Sequence, residues 1–132
     1  MRLVLPALLA AVPYCYAASP EFNAIMPRGG QTGTTAPVSL LGNRLDDTEE
    51  IVSYSPQIKV VDFKVESATV IKAGFMIDPA CPPGEHLFRV RTKSGLSYAR
   101  NFWVGAYPST EEKEPNNQFV EAQAIHTSST LT

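Results

Sequence analysis

The sequence predicts an all-β chain, folded as a sandwich of two antiparallel sheets, and three observations carry that expectation. Turn-forming residues recur at short intervals, runs rich in β-branched and aromatic residues lie between them, and no stretch keeps apolar residues at helical period for three turns. The turn signals are Pro27-Arg28-Gly29-Gly30, Gly42-Asn43, Asp46-Asp47, Ser55-Pro56, Asp78-Pro79, Pro82-Pro83-Gly84 and Ser94-Gly95. The runs between them extend from Ala36 to Leu41, Glu50 to Tyr54, Ile58 to Val65, Thr69 to Ile77, Glu85 to Thr92 and Leu96 to Val104. Six or seven short strands at this spacing suit two stacked layers.

The last two runs show which side is buried. Along Glu85 to Thr92, alternation points Phe88 and Val90 inward and Arg89 and Arg91 into water. Lys93-Ser94-Gly95 turns the chain into the final run, where Phe102 and Val104 fall on the core side and Trp103 on the opposite one. Arg100 shares the parity of Phe102, and a bulge near Ala99 would restore the pattern. Phe75, Phe88 and Phe102 are the expected anchors of the core, each contributing roughly 1.5–3 kcal/mol by burial.

Composition narrows the function classes. The 132 residues are 44% hydrophobic and 18% charged, with 11 basic against 13 acidic side chains. No basic face is available for a phosphate backbone, which argues against nucleic acid as a partner. Two cysteines and two histidines are too few for a disulfide-stapled miniprotein or a Cys/His zinc site.

The N-terminus reads as an address. Met1-Arg2, the apolar run from Leu3 to Val12 and Pro13-Tyr14-Cys15-Tyr16-Ala17-Ala18 are the parts of a secretory signal peptide. The apolar run falls short of the roughly 20 residues that span a bilayer, and Pro6 and Pro13 oppose a stable helix. Cleavage after Ala17 places small Cys15 at the minus-three position and defines residues 1–17 as the signal. Bulky Tyr14 disfavours a lipid-attachment reading of Cys15, and an N-terminal core helix is the alternative. The expectation is a secreted, periplasmic or cell-surface protein without a transmembrane span in the mature chain. Cys81 is then the one remaining cysteine, expected to be a small, half-buried apolar residue.

Charge divides the remainder. From Ala18 to Gly105 there are nine basic and nine acidic residues, whereas Ala106 to Thr132 carries Lys113 against Glu111, Glu112, Glu114 and Glu121. The shift near Tyr107-Pro108-Ser109-Thr110 marks a boundary and linker. The first block holds all the patterned strands and is expected to fold alone. The last two dozen residues cannot bury a core of their own, and Glu111 to Thr132 is expected to be extended or poorly ordered.

Two resemblances follow from these residues. Met26-Pro27-Arg28-Gly29-Gly30-Gln31-Thr32-Gly33-Thr34, then Val38 to Leu45, the late Ala80-Cys81-Pro82-Pro83-Gly84 and the hairpin from Gly95 to Gly105 resemble an IPT/TIG domain over residues 22–105. The resemblance implies an immunoglobulin-like sandwich. The glycines have a physical reading beside it: Gly29, Gly30 and Gly33 are placed for positive φ at a sharp turn, and Gly42 to end a strand and free Asn43 for a turn. Glu112-Lys113-Glu114-Pro115-Asn116-Asn117, with Phe119 and Ala122 to Ile125, is similar to the start of a bacterial pre-peptidase C-terminal domain, within residues 106–132. That similarity implies a calcium-binding segment matched by Glu112, Glu114 and Asn116, with Asn117 replacing an acidic residue. Calcium takes about six to eight oxygens, so the site would be completed only by a domain beyond Thr132. No other cofactor is expected. The alternative for the segment is a solvated acidic linker, and the whole sequence then reads as the N-terminal part of a longer protein.

The search for chemistry yields little. Gly29 to Gly33 lacks the Gly-Lys-Ser/Thr ending of a phosphate-cradling loop, and no Gly-x-Ser-x-Gly elbow occurs. His86 lies five residues after Cys81, but a Cys-Pro-Pro corner offers nothing to activate a thiol, and a His beside a turn is the plainer reading. Asp46, Asp47, Glu49 and Glu50 with Asn43 lack the spacing of a calcium loop and read as a solvated turn. Trp103 and Tyr98 are the candidate binding residues, with Tyr54 and Tyr107 available to extend an aromatic platform; Trp103 could equally cover a neighbouring domain. The expected function is a non-catalytic binding or spacer module of an exported protein, with protein or carbohydrate at the cell surface and further domains of the same polypeptide as partners. The alternative is the accessory N-terminal region of a secreted hydrolase, and a small hydrolase using His86 and Cys81 ranks last.

Overall fold

The computed structural model describes residues 18–110, 113–115, 118, 120, 122–125 and 128–131; the signal segment expected at residues 1–17 lies outside them. Nine strands build two sheets: β1 (Glu21–Met26), β2 (Gly29–Gln31), β3 (Thr35–Asn43), β4 (Thr48–Ser53), β5 (Ile58–Ser67), β6 (Val70–Ile77), β7 (Gly84–Thr92), β8 (Gly95–Leu96) and β9 (Arg100–Gly105). Sheet I has the order β1-β3-β6-β5, and sheet II the order β2-β9-β7-β4 with β8 paired to β7. Taking β1 and β2 as two halves of one divided strand, this is the ABED-against-CFG arrangement of an immunoglobulin-like sandwich.

Each strand forms because alternate residues can be buried. Ala36, Val38 and Leu40 of β3, Ile71, Ala73, Phe75 and Ile77 of β6, Phe88 and Val90 of β7 and Phe102 and Val104 of β9 all point into one core. Phe75 of sheet I stacks on Phe88 of sheet II at 4.2 Å between centroids and meets Phe102 edge-on at 5.2 Å. Such pairs add about 0.5–1.5 kcal/mol beyond the area they bury, and here they bolt one layer to the other. Leu45, in the turn after β3, and Phe22 of β1 complete the core at its margin.

Several details differ from the sequence expectation. β1 arises where no strand was expected and β2 within the expected turn at Pro27 to Gly30, and β2 runs parallel to β9, with Gly29 opposite Trp103 and Gln31 opposite Gly105. The sheets are therefore not wholly antiparallel. Gly29 and Gly30 lie in extended β2, and only Gly33 of that group has positive φ. Gly30 is required by space instead: a Cβ there would sit 2.8 Å from Ile77 Cδ1 and 3.1 Å from Phe102 Cζ. Gly42 and Asn43 remain within β3, and Arg44 takes the left-handed conformation at φ 56°.

No bulge occurs at Ala99. The chain leaves sheet II between Leu96 and Arg100, and β9 restarts in plain register with Phe88 opposite Arg100. Arg100 escapes burial because its guanidinium reaches sideways, Nε donating to the Asn23 carbonyl at 2.8 Å. The irregularities sit elsewhere, in β1 between Phe22 and Ala24, in β4 after Thr48, and twice in β5 around Asp62 and Glu66. After sheet II, β10 (Ser109–Thr110) pairs in parallel with β11 (Thr130–Leu131).

Candidate functional site

The outward face of sheet II is assembled from alternate residues of β4, β7 and β9. Pairing sets Trp103 opposite Glu85, Asn101 opposite Leu87, and Val52 opposite Arg89. Tyr54 donates its backbone N–H to the Leu87 carbonyl at 3.1 Å, which seats it in the same row as Leu87 and Asn101. Trp103, Tyr54 and Leu87 remain 51%, 55% and 42% exposed, the rim of a core strand pair left uncovered. The Arg89 guanidinium lies over the Tyr54 ring at 5.9 Å, a cation–π contact. Its Nε is buried with no hydrogen-bond partner, an orphaned donor on a face that is otherwise open.

Beside Trp103 the sandwich has a seam. β2 covers β9 only from Trp103 onward, so the earlier part of β9 faces β1 across a groove of about 390 Å³. Asn23, Arg28, Ala99, Arg100, Asn101 and Trp103 line it. The Trp103 N–H donates to the Arg28 carbonyl at 2.9 Å, so by alternation the peptide groups of Asn101 point toward the groove rather than toward β7. Gly29 keeps this corner close, because a Cβ on it would lie 2.7 Å from the Trp103 carbonyl oxygen.

Of the two binding residues singled out in the sequence, Trp103 stands on the face and in the groove. Tyr98 is 81% exposed in the β8–β9 connection, next to Ala99, and does not line the groove. Tyr107 is exposed after β9. Asn101 and Leu87 were accessible from the alternation that placed Trp103; Asn23 and Arg28 were not, because no signal had announced β1 and β2. Of the calcium segment, Glu112 and Asn116 lie outside the described residues and Glu114 is within the tail. Among the described residues no group of three or more His, Cys, Asp or Glu side chains could hold a metal ion. Glu49 and Glu50 of the acidic turn both bind Arg91, at 3.0 and 2.9 Å.

His86 and Cys81 do come together, at the corner leading into β7. The Cys81 Sγ lies 3.7 Å from His86 Nε2, the Pro82 carbonyl 2.9 Å from the same nitrogen, and Ser55 Oγ 2.6 Å from Nδ1. A carbonyl can only accept, so Nε2 donates to Pro82, and in the neutral ring the Ser55 hydroxyl then donates to Nδ1. Burial, with the Asp78 carboxylate nearby, pushes the Cys81 thiol up and keeps it protonated, the opposite of an activated nucleophile. Neither His86 nor Ser55 lines the groove, and the cluster ties the β4–β5 turn to the Pro82 corner.

Comparison with known proteins places few limits on this reading. No family model and no curated protein matches the chain. A solved structure to which it is similar is SGBP-B from a complex xyloglucan utilization locus in Bacteroides uniformis, at 22% identity and a TM-score of 0.38. The match covers 64% of this chain and 22% of that one.

Proposed function

We propose that the chain supplies a non-catalytic, immunoglobulin-like binding module to an exported protein at the cell surface or in the medium, and that its ligand is a saccharide chain. The observation that carries this reading is the outward face of sheet II, where Trp103, Tyr54 and Leu87 stand exposed among Asn101, Glu85 and Arg89. The centres of protein interfaces are enriched in aromatic residues and Arg but depleted of Lys, Glu and Asp, and on this face Glu85 stands directly opposite Trp103. Here planar polar groups alternate with rings instead, a pattern suited to a ligand with C–H faces and hydroxyl edges. Strand β9 holds Trp103, and the backbone bond to Leu87 holds Tyr54 just past the end of β4, so little side-chain entropy is lost on binding. The reading concerns a binding face; the buried, protonated Cys81 and the inward-held His86 are parts of the corner that supports it.

An oligosaccharide array probed with the full chain tests the proposal. Bound sugars should be lost, by about tenfold or more in affinity, from Trp103→Ala and Tyr54→Ala, since exposed aromatic anchors are the usual energetic centres of such faces. Array signals that persist unchanged in both variants would remove the basis of the reading, and turnover of any glycoside, ester or peptide substrate would replace it.

A further inference from the structure

The seam beside Trp103 has a chemistry of its own. Arg28 is exposed, and among the described residues its guanidinium has no hydrogen-bond or ion-pair partner. Arg100 is held in place by two bonds, Nε to the Asn23 carbonyl at 2.8 Å and Nη1 to the Ala99 carbonyl at 3.0 Å, which leave Nη2 outside both. The lining contains no Asp or Glu. The nearest acid on β1, Glu21, is already engaged by Arg44 at 2.7 Å and by Asn43 at 2.9 Å. Two guanidinium groups, two amides, the free peptide of Asn101 and one indole ring thus surround a groove of 390 Å³ whose lining holds no acid, and the carboxylate beside it on sheet II is the single one of Glu85, opposite Trp103.

From this charge balance we infer that the groove binds an acidic sugar unit, one bearing a carboxylate or sulfate. The inference rests on the saccharide reading above and narrows it. Arg28 and Arg100 meet the anionic group, since guanidinium is the side chain whose fork matches a planar oxyanion. Asn23 and Asn101 offer both donors and acceptors to ring hydroxyls. Trp103 takes the C–H face of the pyranose. An added peptide strand is the weaker occupant: β9 exposes a single peptide unit there, before β2 covers it on one side and the chain departs at Ala99 on the other, too short for a ladder.

Trp103 is the sole tryptophan of the chain, so its fluorescence reports this groove directly. The full chain is titrated with oligogalacturonate, hyaluronan oligomers and a sulfated oligosaccharide, each beside its neutral form (methyl ester or desulfated). The expected result is an emission change with the acidic probes, at least tenfold weaker with the neutral forms, weakened with rising salt, and reduced about tenfold by Arg28→Ala. Arg28→Lys should restore part of the loss. Because Arg28 is exposed and makes no side-chain bond, this variant folds as the parent does, which circular dichroism verifies. Equal response to acidic and neutral forms, abolished by Trp103→Ala and untouched by Arg28→Ala, overturns the acidic specificity while the saccharide reading stands. No response to any sugar, with an extended peptide shifting the emission instead, overturns both.

Discussion

The two outward faces of the sandwich are built by the same alternation and end with opposite surfaces. Sheet I presents Lys59, Lys64 and Lys72, with Lys64 directly opposite Lys72 and the Lys72 ammonium donating to Ser39 Oγ at 2.7 Å. Its exposed apolar groups are the flexible Met26 and Met76 and, at the β5 irregularity, Phe63. Sheet II presents Trp103, Tyr54 and Leu87 around Arg89. Lysines along a free edge such as β5 repel another strand and keep a sheet solvated. Rigid rings left at half exposure do neither, and an uncovered cluster of them is the surface that the proposed saccharide would cover. Burial dictated the inner face of both sheets, and the outer faces were free to diverge, one solvated by lysines and the other left with exposed rings.

Both faces rest on one core. Phe75 belongs to sheet I but stacks on Phe88 of sheet II, so Phe75→Ala should unfold both faces together, costing about 3–5 kcal/mol. A chemical denaturation curve would show it as one cooperative loss. Two transitions, with one sheet surviving, would mean that the faces are not carried by a common core.

Exchanging attention from the core to the surface separates the faces. Trp103→Ala should weaken saccharide binding about tenfold or more while changing stability by less than about 1 kcal/mol, since its ring is half in solvent. Lys72→Ala, on the other sheet, should leave binding untouched and shift stability by no more than about 0.5 kcal/mol. Binding and melting measured side by side on both variants check the contrast, and equal losses of binding would erase it.

What was legible beforehand follows from the same physics. Alternation in β7 and β9 revealed Phe88, Val90, Phe102 and Val104 as core and Trp103 as outward, because a period of two is fixed by the backbone whatever the neighbours. Strand β1 was hidden by the irregularity between Phe22 and Ala24, which breaks its alternation. Strand β2 was illegible because Gly29-Gly30 carries turn residues, and its extended state is imposed from outside. β9 supplies the ladder, and Ile77 and Phe102 crowd against Gly30. The groove depends on β1 meeting β9 across the seam, a contact between distant segments that no local pattern encodes. Arg100 misled for a related reason: its parity is that of the core, and only the Asn23 carbonyl, supplied by β1, explains where the side chain goes.

Beneath sheet II, the Cys81 corner responds to pH in a direction that can be worked out. Burial raises the thiol above its ordinary value, so the folded state holds its proton more firmly than the unfolded chain. The associated stability is complete below about pH 8.5, the usual thiol range, and is lost as the pH rises through the folded-state value. Cys81→Ala removes this contribution. Urea midpoints measured near neutrality and in alkali should therefore fall further for the parent than for the variant, and parallel falls would show that the thiol does not titrate with unfolding.

The smallest effect belongs to the margin of sheet I and runs the other way. Glu21 of β1 is held below its ordinary value first by the hydrogen bond from Arg44, then by that from Asn43. Its lowered value means that the stabilisation is present above about pH 4.3 and is lost as the pH falls through the folded-state value. The carboxylate and guanidinium are both about half exposed, so solvent and salt screen the pair and the contribution is slight. Glu21→Gln should flatten the acid limb of the stability curve by a small amount at low salt and by nothing measurable at high salt. It should leave the Trp103 emission unchanged at every pH, because Glu21 faces Arg44 and does not line the groove. A Trp103 signal that moved with Glu21 would join the two margins electrostatically and dissolve the distinction between the faces.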